Sequence, residues 1–195
     1  MSVDPVVSLV ARFSVALVLA WAAAHKARDL AAFGESLRGY RLIPKAAVGS
    51  FAVVLIMVEA VAAVALLYGP SATFAAFAAV GLFSAYSVAI AINLLRDRRD
   101  LDCGCGSGAR PQPLSEWLLV RNAALIAFAL VAGASVSART LGWIDALGAL
   151  AALTTLVLLW LASSELLATV TSRQATGGQR RGGSQTQLAA FGEGR

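Results

Sequence analysis

Charge, cysteine and histidine are all scarce in this chain. Only 27 of its 195 residues carry a formal charge, 16 Lys and Arg against 11 Asp and Glu, about half the share usual for a soluble domain. Two cysteines are too few to staple a small secreted domain, and with one histidine they cannot complete a structural zinc site. No metal site is therefore expected. The sharpest absence is local: no Asp, Glu, Lys, Arg or His stands from Ala60 to Leu95. As a single helix that run would measure about 54 Å, against roughly 30 Å of bilayer hydrocarbon, so it must hold two membrane spans. With 58% hydrophobic residues, a soluble enzyme and a disordered chain are both excluded. The pI near 9.9 does not call for nucleic acid, because basic residues that border apolar spans have a topological explanation. The expected partner is the lipid bilayer.

What is present is a series of apolar segments punctuated by Gly and Pro. Hydropathy gives five candidate spans, about 6–24, 46–68, 71–95, 114–136 and 141–170. The expected fold is an all-α polytopic membrane bundle of about five transmembrane helices, a four-helix core with one more. Gly69 and Pro70 break the long run into a tight hairpin, since proline has no N–H to donate and disfavours helix in the residue before it. Residues 1–172 read as the transmembrane domain. Residues 173–195 change to Gly, Gln, Thr and Arg, too polar to bury a core, and read as a disordered tail.

An odd number of spans places thirteen of the sixteen positive residues on one face, with only Arg139 opposite and Arg12 and Arg121 inside helices. By the positive-inside rule the N-terminus is expected outside and the C-terminus inside, in the cytoplasmic (inner) membrane. The first span resembles a signal peptide in its small residues at Ala22–Ala24. The segment before it lacks positive charge and contains Asp4, so it is read as retained.

Ionisable side chains inside a bilayer each need a partner, a wet cavity or a route to the interface. Depth arithmetic places Arg12 and Glu59 at similar height, an expected buried pair, and Arg121 near Glu165, with Asn122 as a hydrogen-bonding neighbour. One reading is that these pairs fix helix order. The other is that Arg12, Glu59 and Arg121 line a polar pocket for a quinone, a metal or a partner peptide. Lys26, fourteen positions after Arg12, shares its helix face and either joins that pocket or snorkels to the headgroups. His25 reads as an interfacial residue rather than a ligand.

Both cysteines lie in one glycine-rich loop, Leu101-Asp102-Cys103-Gly104-Cys105-Gly106-Ser107-Gly108. Nearby Arg98, Arg99 and Arg110 favour thiolates, which Asp102 opposes. A disulfide across one residue is cramped and therefore easily reduced, which suits thiol exchange better than stapling. Two thiolates holding a soft ion such as Cu(I), or no chemistry at all, are the competing readings.

Taken in order, Arg12, His25-Lys26-Ala27-Arg28-Asp29, Phe33, Gly39-Tyr40, Leu42-Ile43-Pro44, Glu59, Asp102-Cys103-Gly104-Cys105-Gly106 and Arg121-Asn122 resemble the MauE-type methylamine utilization proteins, neighbours of the small DoxX-like membrane proteins. The likeness runs over residues 6–170 and departs from the pattern at Gly106, where an aromatic residue usually follows the second cysteine. It implies a membrane protein that assists processing, export or maturation, including disulfide formation, of the small subunit of methylamine dehydrogenase. A periplasmic dehydrogenase subunit or a thioredoxin-like protein would then be the partner. On that reading Cys103 and Cys105 form the redox pair, with Arg12, Glu59, Lys26, Arg121 and Asn122 in support. The alternatives are a quinone-linked thiol oxidoreductase and a non-enzymatic DoxX-like scaffold or metal-handling protein. The charges place both cysteines inside, whereas an oxidant of periplasmic thiols would present them outside.

Overall fold

The computed structural model describes residues 2–98, 101 and 114–162, among which every regular element is helical. The helices are α1 (Pro5–Arg28), α2 (Leu30–Tyr40), α3 (Val48–Leu67), α4 (Ala72–Leu95), α5 (Glu116–Gly133) and α6 (Trp143–Ala162). All except α2 are long and apolar enough to cross a membrane, so each of the five expected spans has its helix. Two compact units divide the chain at Leu158 and Leu159. The second is described only at residues 159–162, the last described residues of α6. Residues 173–195 and the end of the fifth expected span lie outside the described residues.

Local chemistry sets the helix limits. Asp4 caps α1 by accepting from Val6 N at 2.8 Å, with Pro5 at the first helical position, where its missing N–H costs nothing. Asp29 both ends α1 and caps α2, accepting from Ala32 N at 2.9 Å. Arg41 closes α2 in the left-handed region, φ 52°. Between α3 and α4, Gly69–Ser71 forms a single 3₁₀ turn. Ser71 Oγ donates to Ala65 O at 2.9 Å, satisfying one of the carbonyls that the end of α3 leaves without a partner.

Helices α1, α3, α4 and α5 close a ring, α1 against α3, α3 against α4, α4 against α5 and α5 against α1. Its interior is largely alanine, including Ala11, Ala16, Ala62, Ala75, Ala76, Ala79 and Ala129. Small side chains let backbones approach where lipid supplies no hydrophobic drive for association. The closest approach shown is at Gly133, where an added Cβ would lie 3.1 Å from Ala76 Cβ. Val54, Val64, Phe74 and Val88 point outward, so these helices are apolar on every side, as lipid-facing helices are. No residue of α6 is buried, which leaves a four-helix core and one peripheral span.

The two ends of the bundle differ in charge. At one end Val3 bridges to Val136, with Val3 N donating to Ser135 O and Ser137 N to Val3 O. Beside it Arg139 ties the α1 cap to the start of α6, pairing with Asp4 at 2.9 Å and Asp145 at 2.7 Å. The opposite end carries α2 with Arg28, Arg38, Arg41, Lys45, Arg96 and Arg98. The Arg139 guanidinium, helped by Val6 N–H, holds the Asp4 carboxyl below its ordinary value of 3.8. A depressed carboxylate stabilises the fold above its unfolded value and loses that contribution as pH falls through its folded value. Thermal unfolding in detergent is therefore expected to show stability falling below pH 3.8, with a shallower fall in Asp4→Asn.

Candidate functional site

The polar centre of the bundle forms where three helices each contribute one side chain. Lys26 comes from the last turn of α1, Glu59 from the middle of α3 and Tyr86 from α4. Lys26 Nζ donates to Glu59 Oε1 at 2.5 Å and to Tyr86 Oη at 3.1 Å, and Tyr86 Oη donates to Glu59 Oε1 at 2.5 Å. The Lys26 and Glu59 side chains are 1% and 0% exposed. The ammonium also lies 5.1 Å from the ring centre of Phe33 and 4.7 Å from that of Tyr86, within cation–π range. Glu59 Oε2 meets no hydrogen-bond donor among the described residues. An isolated charge here would be prohibitively costly, so each member makes the others tolerable.

This arrangement corrects one expectation and decides between two readings of Lys26. Glu59 pairs with Lys26 and not with Arg12. The reason lies in where helices end: α5 stops at Gly133 beside α1, leaving the Ala132 carbonyl without an intrahelical donor, and Arg12 Nε donates to it at 3.0 Å. A cation at a helix C-terminus also suits the helix dipole. Nor does Lys26 snorkel. Helix α1 runs to Arg28, past the expected end at Ala24, and α2 starts at Leu30 and folds Phe33 over the ammonium. His25 is half-buried in the same last turn.

Beneath Lys26 is a cavity of about 230 Å³. Helix α2 contributes Phe33, Ser36, Leu37 and Tyr40. Phe51 and Leu55 come from α3, Ala85, Tyr86, Ala89 and Ile90 from α4, and Arg121 and Asn122 from α5. The structure thus brings Lys26, Arg121 and Asn122 to one space, with Glu59 behind Lys26, and places Arg12 elsewhere. Glu165, Cys103 and Cys105 lie outside the described residues, so neither the second expected ion pair nor the thiol pair has a described geometry. Leu101, two positions before Cys103, accepts from Leu114 N at 3.2 Å and packs with Tyr40 against Ile90, Leu114 and Leu118. Gly39 makes room for it, since a Cβ there would lie 3.2 Å from Leu101 Cδ2. No group of three or more His, Cys, Asp or Glu among the described residues could hold a metal ion.

Tyr86 and α2 were not anticipated. Tyr86 sits within the uncharged run, where a count of ionic side chains passes over it. The signal for α2 was present: Asp29 as a cap, then Leu30, Phe33, Leu37 and Tyr40 at three- and four-residue spacing.

A family model described as methylamine utilisation protein MauE matches residues 4–135. A methylamine utilization protein MauE from Paracoccus denitrificans is 40% identical over 128 residues, 66% of this chain and 69% of that protein. One from Methylophilus methylotrophus is 37% identical over 164 residues, 82% and 85% of the two chains. One from Methylorubrum extorquens is 40% identical over 130 residues, 65% and 69% respectively. No solved structure matches.

Removing one partner of the buried pair strands the other. Lys26→Met is expected to cost about 3–5 kcal/mol and Tyr86→Phe about 1–2 kcal/mol, measured as unfolding free energies in detergent. Equal losses for the two variants would contradict the ionic reading.

Proposed function

The chain belongs to the MauE family of methylamine utilisation proteins, and from that premise we propose that it is a multi-pass accessory protein of the inner membrane in methylamine utilisation. Its task is maturation of a dehydrogenase subunit by thiol–disulfide exchange at Cys103 and Cys105. The observation that carries this reading is the extent of the family match. Residues 4–135 include both cysteines together with Lys26, Glu59, Tyr86, Arg121 and Asn122.

In the exchange, a thiolate of the partner subunit attacks one sulfur of the Cys103–Cys105 disulfide and forms a mixed disulfide. The partner's second thiolate then displaces that cysteine. The partner gains a disulfide, and its two electrons and two protons pass to the cysteine pair. A disulfide closed across one residue is strained and accepts electrons readily. The arginines at 96, 98, 99 and 110 favour the leaving thiolate. Lys26, Glu59 and Tyr86 act as positioning residues, holding α1, α3 and α4 beneath α2, while Arg121 and Asn122 organise α5. Arg12 secures the far end of α5.

The charge difference between the two ends supports an N-terminus outside and a C-terminus inside, so the exchange takes place on the inner face. In the native host, Cys103→Ser and Cys105→Ser are each expected to abolish growth on methylamine while the protein remains in the membrane. Full growth of the double variant would overturn the thiol reading. After mild reduction, a membrane-impermeant thiol reagent applied to intact cells is expected to leave both cysteines unlabelled. Strong labelling would reverse the orientation.

A further inference from the structure

We infer that the cavity beneath Lys26 is a binding site for a neutral, largely apolar molecule of one or two rings that presents a carbonyl oxygen. This goes beyond the thiol-exchange reading and stands without it.

The first observation is size. At about 230 Å³, the space is half as large again as an engineered apolar cavity of ~150 Å³ that takes up benzene. The walls are mainly Phe, Leu, Ile and Ala, so a polar or strongly hydrated solute would lose more than it gained.

The second observation is Asn122. It is 3% exposed and lines the cavity, and its amide makes no hydrogen bond to any described side chain or backbone group. Amides this little exposed are usually paired, by the protein or by what occupies the adjoining space. An unpartnered amide facing an apolar space points to a group from outside the chain.

The third observation concerns the kind of group. Lys26 has three N–H donors, and among the described residues only Glu59 and Tyr86 take one each. The Tyr86 hydroxyl already donates to Glu59. Lys26 and Asn122 both line the space; an ammonium can only donate whereas an amide can donate or accept, so the one group that both can bind is an acceptor oxygen. Glu59 already balances the Lys26 charge and Arg121 on the same wall has a partner of its own, so a carboxylate bound between Lys26 and Asn122 would bring an uncompensated negative charge into the site. A neutral carbonyl brings the acceptor without that charge.

The test uses the full chain in lipid nanodiscs and three probes on one ring skeleton: 1-tetralone, tetralin, and tetralin-2-carboxylate. Calorimetric titration is expected to show saturable binding of tetralone, one per chain, on the order of tenfold tighter than tetralin. Asn122→Leu should bring tetralone down to the tetralin level, and Ala89→Phe should remove saturable binding by filling the space. Equal affinity for tetralone and tetralin would overturn the carbonyl assignment, as would tighter binding of the carboxylate. Absence of saturable binding for all three would overturn the site. If Ala89→Phe fails to fold, the comparison of tetralone with tetralin on the unaltered chain decides alone.

Discussion

A lysine and a glutamate sealed from solvent, with a tyrosine hydroxyl closing the triangle, organise this bundle. Lys26, Glu59 and Tyr86 come from three different helices and are joined by three hydrogen bonds. Most contacts elsewhere in the core are between alanines and other apolar side chains. Such surfaces pack closely yet slide and rotate at low cost, because one alanine face resembles the next. A buried ion pair does not tolerate slippage, since a small shift strands a charge in a medium that cannot solvate it. The triad thus specifies the register of α1, α3 and α4 more than it adds net stability. Arg12 plays a comparable part at the other end, where it tethers the Ala132 carbonyl of α5 to α1.

The cavity follows from the same constraint. Lys26 stands at the end of α1, where a lysine in lipid would ordinarily extend towards the headgroups. Helix α2, starting one residue after Asp29, covers it with Phe33 and encloses the space that Leu37, Tyr40 and Asn122 border. The segment that carries the cysteines follows Leu101, which packs, as Tyr40 does, against the cluster of Ile90, Leu114 and Leu118, and Tyr40 and Ile90 both line that space. The proposed thiol chemistry and the proposed ligand therefore share one end of the bundle, the end rich in arginine.

The spans were legible because the signal is an absence: a run without charge is too long for one helix and is broken once, at Gly69-Pro70. Charge placement identified Glu59, Lys26, Arg12 and Arg121 as the unusual residues. It did not pair Glu59 correctly, giving it to Arg12, since depth counted in residues ignores both the reach of a lysine stem and the unsatisfied carbonyls at a neighbouring helix end. Tyr86 was invisible for the reason the spans were visible, because it lies inside the charge-free run. The segment after α1 was read as a connection, although its apolar spacing from Leu30 to Tyr40 is that of an amphipathic helix too short to span the bilayer. Asn122 was singled out as a neighbour of Arg121, but only the fold shows that its amide faces a cavity.

The central claim is that Lys26 and Glu59 act as one unit. The direct measurement is a double-mutant cycle of Lys26→Met and Glu59→Leu, read as unfolding free energies in detergent. Substituting both removes the buried charges together, so the double variant is expected to be more stable than either single one, with a coupling of roughly 2 kcal/mol or more. Losses that simply add would mean the two side chains act independently, and the account of the bundle built on their pairing would fail.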